Sequence, residues 1–490
     1  MPMRIYVAVG AILILAGSGA AQDFHPDIPR AWDDQEVARL EVPLARRDRS
    51  PRYLSAAEYY ALKVRTIYRS YPVYASGREP AGYLESLKQK DPQPIVFDAS
   101  ALRTKEDWIR AGEAVFNDAP FPFPVGPTGF QGPPGITFPT TRDGIIPVDR
   151  YVIRKRGLVE QTNGTSCAAC HTRVLPDGTA LEGGQIDFAV YPALAAGFRQ
   201  TKANPARTRP SREFDWITSG APWITPRAEF DKLTNEELAH RYEAMLAGVL
   251  ERQGTGSSHP VRVPSLIGIR DIKYFDATGM VRHRSIADLM RYDIINTGLD
   301  LMAHFGDFQP STSAAPYGMD GMRFGDEQLY ALALYIYSLQ PPPNPNHVDD
   351  RARRGQRIFQ QQGCAGCHTP PLYTNNKLTP ATGFQVPDDL RKSDDIMNVS
   401  VGTDPGLATQ TRRGTGFYKV PSLRGVWYRN AFSHSGQAAT LEEWFDPARL
   451  RNDYVARGFH LGPGPIQGHE FGLKLSADDR QALIAFLKTL

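Results

Sequence analysis

Two stretches with apolar residues at helical spacing close the two halves of the chain: Asp326 to Leu339 (DEQLYALALYIYSL) and Ala477 to Leu490 (ADDRQALIAFLKTL). Their period predicts amphipathic helices. Gly112-Glu113-Ala114-Val115-Phe116 and Gly355-Gln356-Arg357-Ile358-Phe359 share a Gly-x-x-apolar-Phe core and predict an opening helix for each half. Each half also carries Val-Pro-Ser-Leu-x-Gly, at Val263 to Gly268 and at Val420 to Gly425. Between them, Pro341-Pro342-Pro343-Asn344-Pro345-Asn346 cannot be helical and reads as an extended linker. The pattern predicts a mainly α fold: two small helical domains related by internal duplication, 104–340 and 347–490, joined by the linker 341–346.

The halves are unequal. A Pro/Gly/Phe-rich stretch, Ala119 to Tyr151, separates the opening helix of the first half from Cys167, where the second half has only Gln360 to Gly363 before Cys364. Long loops of this kind either build a binding surface or cover an interior. Residues 22–103 form an N-terminal extension. Ahead of it, Arg4, the apolar run Ile5 to Leu15 and the small residues through Ala21 predict a leader over 1–21, with Gly19 and Ala21 at the −3 and −1 positions of a cleavage before Gln22. That points to a periplasmic or secreted protein. The run is shorter than the ~20 residues a spanning helix prefers, so stable membrane insertion is not expected. Lys+Arg 56 against Asp+Glu 53 gives a formal charge of +3 without a basic stripe, which speaks against a nucleic-acid partner.

The four cysteines fall in two motifs, Cys167-Ala168-Ala169-Cys170-His171 and Cys364-Ala365-Gly366-Cys367-His368. Cys-x-x-Cys-His is the attachment signature of c-type haem. Two thiols at this spacing each form a thioether to one vinyl group, and the adjoining histidine becomes the proximal iron ligand. A thioredoxin-like pair needs no trailing histidine, a shared zinc site would have to join motifs in different halves, and disulfides remain conceivable in an exported chain. The repeated histidine favours two covalently bound haems, so the halves read as two c-type cytochrome domains.

A haem iron with two protein ligands transfers electrons, while one with an open position binds oxygen or peroxide. Aligned without gaps after the Val-Pro-Ser-Leu segments, Asn430-Ala431-Phe432-Ser433-His434-Ser435-Gly436 matches Lys273-Tyr274-Phe275-Asp276-Ala277-Thr278-Gly279. His434 therefore meets Ala277. This predicts His434 as sixth ligand at the His368 haem, with His460, His469 and Met397 as rivals, and an open catalytic iron at His171. His259, His283 and His304 lie within reach of the first iron in sequence. Asp293 and Asp300 are the carboxylates expected to handle protons there. Trp108, Trp216, Trp223, Trp427 and Trp444 are candidate electron relays, with Trp427 preferred because it leads to His434.

Two haem motifs, each followed by Val-Pro-Ser-Leu, and the stretch Val420 to Leu441 (VPSLRGVWYRNAFSHSGQAATL) resemble the bacterial dihaem cytochrome c peroxidase and MauG superfamily. That group also contains the methylamine-dehydrogenase maturation enzyme and the dihaem rubber oxygenases. The resemblance implies a reactive N-terminal haem fed by a C-terminal one. Family peroxidases place a tryptophan where this chain has Ala277, and a glutamine and a glutamate a little further on, whereas Ile286 to Asp300 (IADLMRYDIINTGLD) has neither. They also use a methionine ligand, and none follows Met397. The bis-histidine haem of the rubber oxygenases suits His434. The Thr-x-Pro that helps hold an interdomain calcium is Arg429-Asn430-Ala431, a departure that weakens the implied calcium.

The leading expectation is an exported oxidoreductase activating peroxide or dioxygen at the His171 haem. Its partners would be a small redox protein (a cytochrome or cupredoxin) or a small organic substrate; His304 and Trp427 join Asp293 and Asp300 as candidate catalytic residues. The competing expectations are a dihaem electron carrier without chemistry of its own and a haem-based sensor.

Overall fold

A computed structural model describes residues 23–119, 122–125, 136–162, 166–200, 205–252, 254–312 and 321–490. The expected leader lies outside the described residues, as does part of the Ala119–Tyr151 stretch.

Thr104 caps the opening helix of the first half, Lys105–Phe116: its side chain accepts from Asp107 N while the Asp107 carboxylate accepts from Thr104 N. Trp108, Ala111, Gly112, Val115 and Phe116 form the buried face. They cross the Asp326–Ser338 helix, which is buried on nearly every side. The second half repeats the device. Asp349 caps Asp350–Gln361, Ser476 caps Ala477–Lys488, and these two helices cross through Gly355, Phe359, Ala482 and Phe486. At both crossings a glycine meets a carbonyl. A Cβ on Gly112 would stand 2.0 Å from Ala331 O, and one on Gly355 1.9 Å from Ala482 O. Glycine here is a condition of close helix approach.

The Val-Pro-Ser-Leu segments fold alike. Ser265 Oγ accepts from Ile267 N and Ser422 Oγ from Arg424 N, each at 3.2 Å. Gly268 and Gly425 then turn left-handed, at φ 75° and 71°, into short 3-10 helices, Ile269–Asp271 and Val426–Tyr428. Further on, Asp276 and Ser433 take left-handed φ values of 67° and 73°, an uncommon conformation for a residue with a side chain. These are the two positions that the ungapped comparison pairs. Ala431, also left-handed, has no such counterpart in the first half.

Two features depart from a helical fold with long loops. Ser70–Tyr74, Ile145–Lys155, Leu158–Gln161 and Phe123–Pro124 form a four-stranded antiparallel sheet, with Ile145–Lys155 and Leu158–Gln161 in its middle. Ile146, Val148, Tyr151, Ile153 and Val159 fill one core beneath it, so the tail of the Pro/Gly-rich stretch is strand rather than loop. The N-terminal extension, moreover, is part of the first core. Ala31, Trp32, Leu40, Tyr59 and Ile67 pack with Trp108, Phe116 and Leu329, and Trp32 Nε1 donates to Leu54 O at 3.0 Å. Buried Asp394, in the second half, takes two hydrogen bonds of 2.7 Å from Arg282, whose Nη1 also holds the carbonyl of Glu41 at 2.6 Å. The linker is extended and pinned where Asn344 Nδ2 donates to Lys488 O. No helix among the described residues is long and apolar enough to cross a membrane.

Candidate haem sites

The four motif cysteines are free thiols. Burial pushes Cys170 and Cys364 up to about 11 and raises Cys167 and Cys367 as well. Disulfides between the motifs are not formed. His171 sits at the end of the short Cys167–His171 helix, and its Nδ1 donates to Pro264 O, in the first Val-Pro-Ser-Leu, at 3.2 Å. His368 Nδ1 donates to Tyr373 O at 3.1 Å, with the carbonyl of Pro421, the matching proline, also in hydrogen-bond contact. Each bond fixes the tautomer that leaves Nε2 free for a metal. Burial, with Arg252 nearby, holds His171 neutral down to about 4, and burial lowers His368 too. Neutral imidazoles are what an iron requires.

The second site opens into an apolar cavity of about 220 Å³ lined by Cys364, Cys367 and His368. His469 also lines it, with its ring centre 6.3 Å from that of His368 and the two planes tilted by 58°. A metal–imidazole bond of about 2 Å on each face sets two opposed rings about 6 Å apart, so this pair has the spacing of two ligands to one ion. Burial, then the neighbouring His368, keep His469 neutral down to about 4, and its Nδ1 has no protein partner. Its main chain is fixed: His469 N donates to Val401 O at 2.6 Å and Arg449 Nη2 donates to His469 O at 3.0 Å.

His434 is placed differently from the expectation. It lines the same cavity but stacks on Tyr418, ring centres 4.3 Å apart, with Nε2 3.3 Å from the Tyr418 hydroxyl. The ungapped comparison pairs residues of like backbone conformation, while the His434 ring is engaged by Tyr418. Ala277 lines this same second cavity, so its small side chain says nothing about the iron at His171. Of the other rivals, His460 Nδ1 bonds Gly458 O and Met397 Sδ accepts from Asn375.

Three cations also border the cavity: Arg262, Lys419 and Arg429. Burial drives Arg262 down to about 9 and Lys419 to about 8, and lowers Arg429. Nε of Arg262 and of Arg429 are buried without a partner, and no Asp or Glu is among the residues lining the cavity. Asp276 offsets Lys419 in part, but the buried charge of Arg262 and Arg429 is costly, and the two propionates of a haem would balance it. Thiols, opposed imidazoles, an apolar slot and cations fit haem c. The cations were missed in sequence, although Arg262 and Lys419 each stand immediately before a Val-Pro-Ser-Leu segment.

Around the first motif the environment is polar. Asp293 lies on the Ile286–Asn296 helix with Oδ2 unpartnered, and burial pushes its carboxyl up to about 8 against the charge of Arg252. Asp300 is buried 3.5 Å from Arg413, and burial raises it. The three first-half histidines are held elsewhere. His259 lies against Gly406 of the second half; His283 bonds Ile272 O and Tyr337; His304 is exposed on a strand pair with Arg52. Neither His259, His283 nor His304 is therefore placed as a partner to His171, and His304 is outside the site. Trp427 packs edge-on against Tyr428, beside Leu175 and Leu181 of the first half, whereas Trp444 lines the second cavity 5.3 Å from His469.

No protein-family model matches the chain. Among curated proteins, the cytochrome-c peroxidase IdrP1 of Pseudomonas sp. (strain SCT) is 28% identical over 164 residues, covering 30% of this chain and 41% of that protein. The IdrP1 of Denitromonas iodatirespirans is 27% identical over 162 residues, covering 28% and 40%. The chain thus spans about two fifths of the length of the curated relatives it matches. Among solved structures, a variant of the dihaem peroxidase BthA of Burkholderia thailandensis is 19% identical, covering 72% of this chain and 94% of that one with a TM-score of 0.26. A MauG-like protein associated with microbial copper homeostasis is 18% identical, covering 53% and 82% with a TM-score of 0.32. Superpositions this loose carry no argument.

Proposed function

Kinship with the dihaem cytochrome c peroxidase and MauG superfamily is the premise, and from it we propose that the chain is an exported dihaem oxidoreductase with a division of labour between its halves. Cys167, Cys170 and His171 would hold one haem, which would supply the chemistry for peroxide or dioxygen. Cys364, Cys367 and His368, with His469, would hold the other, which would supply electron transfer from a small redox protein. The observation that carries this reading is the facing pair His368 and His469, 6.3 Å apart, with no matching histidine placed against His171 among the described residues. The parallel glycine crossings, serine turns and left-handed residues support an internal duplication, with 104–340 and 347–490 as its two domains.

Haem supplies one-electron chemistry where both axial positions are filled, and small-molecule binding where one is open. The chain's own contribution is positional. Pro264 and Tyr373 orient the imidazoles of His171 and His368 through Nδ1, Arg449 fixes the loop that carries His469, and Arg262, Lys419 and Arg429 would balance the propionates of a bound haem. Asp293 and Asp300 are the ionisable groups at the first site.

Electron paramagnetic resonance of the oxidised holoprotein tests the reading. One high-spin and one low-spin haem are expected. His469→Ala should convert the low-spin signal to high-spin, and His434→Ala should leave it. Two low-spin haems in every redox state would instead favour a carrier without chemistry of its own, and an unchanged spectrum in His469→Ala would remove the ligand assignment.

A further inference from the structure

The junction between the two halves forms part of the wall of the second cavity. Arg262, from the first half, donates its backbone N–H to His434 O at 2.9 Å, and Lys419, from the second, donates its own to Ala277 O at 3.0 Å. The pair is reciprocal. Each donor stands just before a Val-Pro-Ser-Leu segment, and the two acceptors are the positions that the repeat comparison matches. Each donor also belongs to a two-stranded ladder: Val261–Arg262 pairs with Val249–Leu250, and Phe417–Lys419 with Leu378–Pro380. Each ladder meets a left-handed glycine of the other half. A Cβ on Gly436 would stand 2.3 Å from Val249 Cγ2, and one on Gly279 2.3 Å from Leu378 Cδ2. Arg262, His434, Lys419 and Ala277 all line the second cavity.

The same segment reaches the first site. Two residues after Arg262, Pro264 O accepts from His171 Nδ1 at 3.2 Å. Two residues of chain span at most about 7 Å. Between them, Val263 N donates to Gly248 O at 2.9 Å. Pro264 and Pro421, one from each Val-Pro-Ser-Leu, border a shared cavity of about 60 Å³, with Arg262 and Lys419 again in its wall. The Arg262 side chain has Nε buried and unpartnered, and no carboxylate lines either cavity. Arg429 is the contrast. It lines the same two cavities with an unpartnered Nε, yet its guanidinium donates to Ser422 O at 2.9 Å and to Arg424 O, both in the second half.

We propose that Arg262 is a positioning residue joining the two sites: its guanidinium would pair with a propionate of the second haem, and its main chain sets the carbonyl that aims His171. The inference rests on the dihaem reading above and needs no open iron. Removing the guanidinium would leave a buried propionate unpaired and loosen the start of the segment at the junction. A carbonyl on Nδ1 makes an imidazole a stronger ligand, so a looser Pro264 contact weakens His171 in that role. Charge lost at Arg262 is therefore felt at both sites, and charge lost at Arg429 at the second alone.

Arg262→Gln and Arg429→Gln are compared as holoproteins, each shown by mass spectrometry to carry two haems. Both should lower the midpoint potential of the second haem, because each removes a buried positive charge that favours electron entry. At the first site they should part. In resonance Raman spectra of the fully reduced protein, the iron–His171 stretching line should fall in Arg262→Gln and stay in Arg429→Gln. Arg262→Lys should restore most of the line and of the potential. Amides of Val261–Val263, read by hydrogen exchange, should exchange about tenfold faster in Arg262→Gln only. An unchanged line in Arg262→Gln, or an equal shift in Arg429→Gln, would overturn the inference. Arg262→Met, of similar length, replaces Arg262→Gln if that chain loads fewer than two haems. A wild type without the iron–His171 line would have a six-coordinate first iron, which refutes the catalytic reading alone. The g-values of that low-spin haem then replace the line, and the same two results decide. Wild type with haem on one motif only would refute the dihaem reading and the inference with it.

Discussion

Gly355→Ala is a sharp test of the second half, because two ordinary considerations give opposite signs. On an isolated helix, alanine is favoured over glycine by about 1 kcal/mol. In place, however, the new Cβ would stand 1.9 Å from Ala482 O, 2.5 Å from Ala482 C and 2.8 Å from Phe486 Cβ, where ordinary contact begins near 3.4 Å. The nearest atoms are backbone, so no side chain can swing aside. Relief takes about 1.5 Å of helix separation, beyond the ~0.5–1 Å that already forfeits a quarter to a half of a contact's dispersion attraction. It would also open the edge-on packing of Phe359 on Phe486, ring centres 5.4 Å apart. Overpacking costs about 1–3 kcal/mol, and a backbone clash sits at the top of that range, so a net loss of about 2 kcal/mol remains after the helix gain. Urea unfolding of the holoprotein, followed by circular dichroism and by Soret absorbance, reads it. Both midpoints should fall, the Soret midpoint at least as far, since Phe359, Leu483 and Leu487 line the haem cavity. Gly366→Ala is the control, with no atom within 4 Å of its Cβ position and near-neutral behaviour expected. A higher midpoint for Gly355→Ala would refute the close-approach argument.

Arg282→Ala should cost about 3–5 kcal/mol in urea unfolding, because it strands the buried Asp394 carboxylate; Arg282→Met with Asp394→Leu should recover most of that loss. Arg449→Lys removes a fork that donates to Trp444, Ile466, Gly468 and His469 carbonyls, and a measurable high-spin fraction should appear at the second haem by paramagnetic resonance. Asp293, raised by burial to about 8, binds its proton more tightly folded than unfolded. Its ionisation therefore subtracts stability as pH rises from about 4 to about 8, and Asp293→Asn should flatten that decline in urea midpoints measured across the range.

What the chain spells out locally was legible: both haem motifs, all four paired helices and the two Val-Pro-Ser-Leu turns are short-range patterns with a fixed physical meaning. The choice among His434, His460, His469 and Met397 was not. Comparing repeats weighs only equivalent positions, whereas His469, whose ring lies 6.3 Å from that of His368, comes from a loop after the repeated segment whose main chain Arg449 holds. The Ile145–Lys155 strand was obscured by the Pro- and Gly-rich residues before it. Its apolar Ile146, Val148, Tyr151 and Ile153 carried the signal, but the phase breaks between Val148 and Tyr151. The junction role of Arg262 was not legible either. An arginine before Val263 becomes noteworthy only once His434 O and the second cavity, from the other half, close around it.

That closure has a consequence for the order in which the molecule is made. A chain synthesised from its N-terminus presents Cys167 and Cys170 long before Arg412 and Arg413 exist. Arg412 later grips the carbonyls of Ile217, Thr218 and Gly220, and Arg413 neutralises Asp276 and Asp300. Until then Asp276 and Asp300 have only Arg252 of their own half nearby, and the carbonyls that Arg412 grips are without that partner. The last quarter of the sequence thus acts as the latch of the first half, and a fragment ending at the proline linker would be left with the door ajar.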